Sequence, residues 1–218
     1  MKIELAGRGG DIVSCDFFSE WMARAGMNGE GTAEGFADDL TILFKMSVNS
    51  VNSVIGIMNS FELVSGLRLN VKKTQLMITG TDLFPVGTKI SDIEIVDKVK
   101  ILGVSIDRKL ENLNQNWEEK IVKMNRLYNF WNLQKMSIAG RIMVAKTYLM
   151  SQVVFLLDTL PIDMGTCDRI NTILANFVKG NGRLIAKSRW CVPPELGGYG
   201  LIDINVLNTC IKASWINR

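Results

Sequence analysis

Glu34-Gly35-Phe36-Ala37-Asp38-Asp39-Leu40-Thr41-Ile42-Leu43-Phe44-Lys45 sets two adjacent carboxylates between an aromatic residue and an apolar run. Leu40–Phe44 is short, apolar and β-prone, the pattern of a buried strand. Gly35 to Asp39 has the length of a strand end plus a tight turn, and an Asp side chain can bond the backbone two residues on. A hairpin built this way holds two acidic groups at the tip of a rigid element, within reach of a hard cation. Mg²⁺ is commonly held by one or two carboxylates together with waters and substrate phosphates. The dipeptide alone fits a solvated polar turn better than a metal site, so the flanking chain has to decide.

Downstream, Ser47 can cap a helix whose apolar residues fall at Val51, Val54, Ile55, Met58, Phe61 and Val64, one helical face. Ser65-Gly66 supplies the C-cap signal. Gln75–Thr79 reads as a strand closed by Gly80, and Asp82–Thr88 as a loop around Pro85 and Gly87. Lys89–Val96 and Lys98–Ile106 read as two further strands. Upstream, Met1–Ala33 is broken by Gly7, Gly9, Gly10, Gly26, Gly29 and Gly31, and only Phe17–Ala25 offers a helix-like patch.

After Asp107 the pattern turns helical. Trp117, Ile121, Met124, Tyr128 and Trp131 mark one amphipathic helix, with Lys120, Lys123 and Arg126 off its apolar face. Ser137 caps a second helix through Ile138, Ile142, Ala145, Leu149 and Val153, stopped near Leu160-Pro161. Met164–Lys179 presents Ile170, Ile173, Leu174 and Phe177 as a third. Trp190–Gly200 is a turn-rich connector, and Leu201–Asn217 reads as a last helix. The fold class is α+β, with strands and a packed helix over residues 1–110 and an all-helical region over 111–218. The tryptophans, Met136, Ile138 and Ile142 read as core.

Composition narrows the chemistry. The 218 residues are 47% hydrophobic and 22% charged, which suits a globular chain able to bury a core. Residues 1–110 carry 12 Lys+Arg against 14 Asp+Glu, a balance of −2, and residues 111–218 carry 13 against 8, a balance of +5. An acidic front and a basic rear suit metal chemistry beside a polyanion, and a solvated basic face suits them as well. There is no histidine, which excludes His-ligated zinc, a Ser-His-Asp triad and a Cys-His nucleophile from these residues. Cys15, Cys167, Cys191 and Cys210 are widely spaced, with no CxxC pair and no signal peptide, so the expected setting is reducing and intracellular, nuclear or cytoplasmic. The longest apolar run, Met150–Leu157, is too short to span a bilayer, and no membrane partner is expected.

The order of motifs resembles one family. Phe36-Ala37-Asp38-Asp39, the long helix, Ser65-Gly66-Leu67-Arg68-Leu69-Asn70-Val71-Lys72-Lys73-Thr74 and Ile101-Leu102-Gly103-Val104 together resemble the reverse transcriptases of non-LTR (LINE-type) retrotransposons. Leu133–Lys146 resembles that family's thumb. Leu160-Pro161, Trp190–Pro194 and Gly197–Leu201 resemble the segments that follow it. The resemblance covers roughly residues 9–218. It implies a partial palm followed by a helical thumb, and RNA-directed DNA polymerisation by two metal ions, Mg²⁺ or alternatively Mn²⁺. It implies Asp38 as a direct metal ligand, Asp39 as a lesser one, and Lys73 near the phosphates of the incoming deoxynucleotide triphosphate. It makes Leu102-Gly103 the primer grip. Lys135, Arg141 and Lys146 become phosphate contacts along an RNA template and DNA primer, or an RNA–DNA hybrid. Each has a plainer reading: a solvated lysine, a strand kink, a solvated helix face.

The resemblance also implies a truncated copy. A further metal-binding aspartate is expected on an earlier strand, before this chain's start, and Asp11 and Asp16 stand in the wrong context to replace it. Arg8–Phe18 resembles a decayed template- and nucleotide-contacting motif, with Gly10, Asp11 and Ser14 remaining where a glutamine and a proline are missing. The expectation is a polymerase fragment, inactive alone. A catalytically dead nucleic-acid-binding remnant and a degenerate reading frame without selected activity are the alternatives.

Overall fold

The structure, a computed structural model, describes residues 2–6, 31–36, 39–80, 84–180, 189 and 191–217. It is α+β and divides into two compact units, Met1–Asn112 and Leu113–Arg218.

The first unit is a sheet with one long helix against it. Its strands are β1 (Lys2–Ala6), β2 (Gly31–Phe36), β3 (Asp39–Phe44), β4 (Arg68–Leu69), β5 (Gln75–Leu76), β6 (Lys89–Ile90) and β7 (Ile93–Ile95). Among the described residues they run in the order β2-β3-β1-β5-β7-β6, with β4 also paired to β1. Among the described strands β5 and β7 run parallel and the other pairs antiparallel. Helix α1 (Val48–Ser65) begins at Ser47, whose hydroxyl accepts from the Ser50 amide at 2.9 Å. It ends on Gly66 at φ 72°, a left-handed position that glycine takes without steric cost. Val51, Val54, Met58 and Phe61 are fully buried against Leu40, Ile42, Leu76, Ile93 and Ile95. Each side chain buried this way contributes about 1.5–3 kcal/mol. Val64, expected on that face, is exposed on the last turn.

Two expected strands are hairpins instead. Lys89–Val96 folds back at Ser91-Asp92, both with positive φ, to pair β6 with β7. Lys98–Ile106 folds back at Leu102-Gly103 to pair β8 (Lys98–Ile101) with β9 (Val104–Asp107) as a separate two-stranded sheet. A hairpin keeps the same apolar alternation on both arms, so the pattern alone reads as one longer strand. The strand at Gln75 stops at Leu76 rather than Thr79, and β1 forms where no strand was expected. Asp107, buried at the end of β9, accepts from the amides of Glu111 and Asn112 and from Asn112 Nδ2. Burial pushes its carboxyl up, but these donors outweigh that and hold it below the usual range.

The second unit is helical: α2 (Asn114–Asn132), α3 (Ile138–Val144), a π-helical segment (Ala145–Met150), α4 (Ser151–Thr159), α5 (Met164–Lys179) and α6 (Ile204–Ser214). Two 3₁₀ turns, Pro194–Leu196 and Trp215–Asn217, flank α6. Ser137 caps α3 by accepting from the Gly140 amide, and Asp163 caps α5. The core gathers Trp117, Met124, Ala145, Leu149, Val153, Leu156, Leu157, Ile170, Leu174 and Phe177. The Trp117 indole donates to the Pro161 carbonyl at 2.9 Å, so a polar atom carried into the core is satisfied. Other expected core residues sit shallower: Trp131, Met136, Ile138 and Ile142 are half-buried, and Trp215 is exposed. The last helix starts at Ile204 rather than Leu201, capped by Asp203 and by Asn171, whose side-chain oxygen accepts from the Ile204 amide.

From α3 to α4 the chain is one continuous helix, Ile138–Thr159, apolar and long enough by composition and length to cross a membrane. It is longer than its apolar run suggests. It is the core helix of this unit, with Ala145, Leu149, Val153 and Leu157 fully buried.

Candidate functional site

In the acidic hairpin, Phe36 pairs with Asp39, so Ala37 and Asp38 connect the two strands. Both, Asp38 included, lie outside the described residues. Asp39 opens β3. Side chains alternate along a strand. Leu40 and Ile42 point into the core under α1, whereas Asp39 and Thr41 are half-buried on the other face with exposed Leu43.

The neighbouring strands place two further residues at the same level. β1 pairs with β3 so that Glu4 is the register partner of Asp39. On the other edge of β1, Leu5 pairs with Leu69 and Lys2 with Gln75. The segment Asn70–Thr74 therefore passes alongside Ile3 and Glu4. It is a closed turn in which the Asn70 carbonyl accepts from the Lys73 amide (3.0 Å), the Thr74 amide (2.9 Å) and the Thr74 hydroxyl (2.9 Å). Thr74 is buried and Lys73 is exposed. Asp39 and the turn carrying Lys73 thus flank Glu4, about two strand spacings or roughly 10 Å apart. Glu4 was missed in the sequence, where the only signal was the alternation of Lys2-Ile3-Glu4-Leu5-Ala6.

Among the described residues no group of three or more His, Cys, Asp or Glu gathers closely enough to hold a metal ion. The described carboxylates do not by themselves complete a metal site.

Leu102 and Gly103 form the two-residue turn of the β8–β9 hairpin, at φ 47° and 85°. Primed hairpin turns need positive φ, and Asn and Gly are the residues that supply it. Space is open around Gly103, so conformation alone calls for glycine there. Leu102 in the left-handed region is an outlier, and at 45% exposure it buries too little surface to offset the strain. The hairpin tip presents an apolar side chain to solvent.

In the helical unit the three expected phosphate contacts part ways. Arg141 is half-buried. Its Nη1 donates to Asn132 Oδ1 (3.0 Å) and to the Phe177 carbonyl (2.9 Å), and its guanidinium lies 5.5 Å over the Phe177 ring. It clamps the ends of α2 and α5 onto α3. Lys135, between α2 and α3, and Lys146, on the π-helical segment, are both exposed. From Lys120 to Leu157 the chain holds six Lys or Arg and not one Asp or Glu. The acidic partners of this unit sit elsewhere. Glu118 of α2 takes a two-pronged bond from Arg169 of α5, which together with Arg169's charge holds its carboxyl below the usual range. Hydrogen bonds from Thr166 lower Asp163 likewise. Clustered basic charge without carboxylates is, in general, the electrostatic pattern that favours polyanions.

Gly10, Asp11 and Ser14 lie outside the described residues. No protein-family model matches the chain.

Proposed function

We propose that this chain is the carboxyl-terminal palm and thumb of a non-LTR retrotransposon reverse transcriptase, binding an RNA template and DNA primer, and inactive as a polymerase on its own. The observation that carries the reading is the register that flanks Glu4 with Asp39 of the acidic hairpin and with the turn bearing Lys73. In the proposed site Asp38 and Asp39 would hold Mg²⁺, Lys73 would offset charge on the triphosphate, and Leu102-Gly103 would bear on the primer. Lys135 and Lys146 would meet backbone phosphates. Arg141 acts through structure, holding the helices that present them.

The position beside Asp39 decides activity. β1 carries glutamate there, one methylene longer than aspartate. Mg²⁺ demands near-ideal octahedral geometry, and misplacement by an ångström costs on the order of 10²-fold in rate. Primer extension on an RNA template with Mg²⁺ is the test. No incorporation by the chain alone is expected; incorporation abolished by Asp38→Ala would overturn that part of the proposal.

The binding part is tested by titrating salt against affinity for an RNA–DNA hybrid. Neutralising Z phosphates gives a log–log slope of about −0.9Z on B-form DNA, a guide for the hybrid. Lys135→Ala with Lys146→Ala should flatten that slope by about two. A wild-type affinity insensitive to salt would remove the nucleic-acid reading altogether.

The Glu4 register favours one second reading, in which the chain supplies its own further carboxylate and extends primers slowly. Glu4→Gln and Asp38→Ala would then abolish the same slow activity.

A further inference from the structure

Phe130, Trp131 and Tyr148 form a ring cluster on the surface of the helical unit. Phe130 meets Trp131 edge to face at 5.5 Å and 83°, and Trp131 meets Tyr148 at 5.0 Å and 37°. Phe130 is 59% exposed and Tyr148 44% exposed, while Trp131 between them is half-buried. Large aromatic surface left in water on one side is unusual, because a ring gains most by burial. The end of α2 that carries two of the rings is anchored next to the cluster. Arg141 bonds to Asn132, the residue next to Trp131, and ties it to the α5 carbonyl of Phe177. Its partners are therefore set before any ligand arrives.

The helix that carries Phe130 and Trp131 bears charge of one sign from Lys120 onward. Lys123, Arg126 and Phe130 follow one another at spacings of three and four on α2, which puts them on one exposed helix face. Lys135 follows just beyond the helix end. The nearest carboxylates in sequence are Glu119 and Asp158, both outside this stretch. An apolar protein helix gains nothing from such one-signed charge, whereas a polyanion carrying flat, stackable rings matches both features.

We propose that the Phe130–Trp131–Tyr148 cluster stacks unpaired bases of a single-stranded nucleic acid, with Lys123, Arg126 and Lys135 on the flanking phosphates. This deepens the nucleic-acid reading above by naming a single-stranded segment as ligand, and it does not depend on polymerase chemistry. Stacking on an aromatic side chain is sequence-tolerant, since every base has a π-face.

The test compares the full chain binding three labelled probes by fluorescence anisotropy: a 12-nucleotide oligo-dT, a 12-residue abasic oligomer of equal charge, and a 12-base-pair RNA–DNA hybrid. Wild type should bind oligo-dT about tenfold or more tighter than the abasic strand. The Phe130→Leu/Tyr148→Leu double variant keeps apolar bulk but loses the ring faces. It should bind oligo-dT no better than the abasic strand, with hybrid affinity and urea midpoint unchanged. A second variant, Phe130→Ala alone, guards against a folding defect and should lose part of the preference. Equal wild-type affinity for the two strands would overturn the proposal while leaving hybrid binding standing. Loss of all three probes together would overturn both readings. Association with phosphatidylserine vesicles, or self-association in sedimentation, without any oligo-dT preference would assign the rings to a membrane or a second copy and also overturn it.

Discussion

The guanidinium of Arg141 lies 5.5 Å over the ring of Phe177 and donates to the carbonyl of that same residue. Side-chain face and backbone of one residue are thus held by one cation, which also reaches Asn132 across the unit. Gly180, at φ 58°, closes against it: a Cβ there would stand 3.1 Å from the Arg141 Cζ. Arg141→Ala should destabilise the helical unit by about 2 kcal/mol or more, since hydrogen bonds to a charged group contribute about 1.5–3 kcal/mol. Arg141→Lys should recover little, because an ammonium lacks the planar fork. Urea denaturation checks both. Lys135→Ala and Lys146→Ala should leave the urea midpoint in place.

Leu102 should respond in the opposite direction. Asn tolerates the left-handed region that Leu occupies at φ 47°. Leu102→Asn should stabilise the β8–β9 hairpin by about 1 kcal/mol. If the exposed leucine serves primer contact, the same variant should weaken hybrid binding. Thermal denaturation and anisotropy on one preparation read the two effects, and a variant that is less stable would refute the strain argument.

Acid should loosen the helical unit at its caps. Thr166 hydroxyl and amide bonds hold the Asp163 carboxyl below its ordinary value. With the folded-state value below the unfolded one, this contribution is complete above the unfolded value, about pH 3.9. It is lost as pH falls through the folded value. The Glu118–Arg169 pair loses its smaller contribution in the same direction, discounted because both side chains are about half exposed. Asp163→Asn keeps a capping oxygen without the titration, so its acid-unfolding curve, followed by circular dichroism, should be shallower over that range than wild type.

Gly198 and Gly197 should behave differently when changed to Ala. A Cβ on Gly198 would stand 2.0 Å from the Val192 carbonyl oxygen, in a connector closed by Gly198 N to Pro193 O and Gly200 N to Val192 O bonds. Backbone cannot yield there cheaply, and Gly198→Ala should cost about 2 kcal/mol or more. Around Gly197, at φ 76°, space is open, so Gly197→Ala should cost only the left-handed strain of about 1–2 kcal/mol, and Gly197→Asn less. Equal urea midpoints for the two alanine variants would contradict the crowding at Gly198.

Much of this was legible in the residues. Ser47, the apolar face from Val51 to Phe61, and Gly66 mark α1 at both ends because cap chemistry and periodicity agree. The Phe36–Asp39 hairpin was legible for a similar reason. The hairpins at Ser91-Asp92 and Leu102-Gly103 were not, since neither pair is the Asn-Gly type that announces a primed turn. The π-helical segment left only a faint trace. Ala145, Leu149, Val153 and Leu157 are all buried at steps of four, which in a regular α-helix would drift about 40° per step. The wider turn at Ala145–Met150 absorbs that drift. Arg141 read as a surface cation because nothing local reveals that its partners, Asn132 and Phe177, lie nine and thirty-six residues away. Glu4 escaped for the same reason: its register with Asp39 is a property of the sheet.

The Lys212 ammonium donates to the carbonyls of Asp158 (3.3 Å) and Leu160 (3.2 Å), and the Trp215 indole to the Asp158 carboxylate (3.0 Å). The open end of the core helix is thus finished by residues more than fifty positions later in the chain. During synthesis the ribosome makes the core helix first and its closing groups long afterward. Until residues 204–215 have emerged, the carbonyls at the end of that helix have only water as a partner, and its final closure is timed by translation.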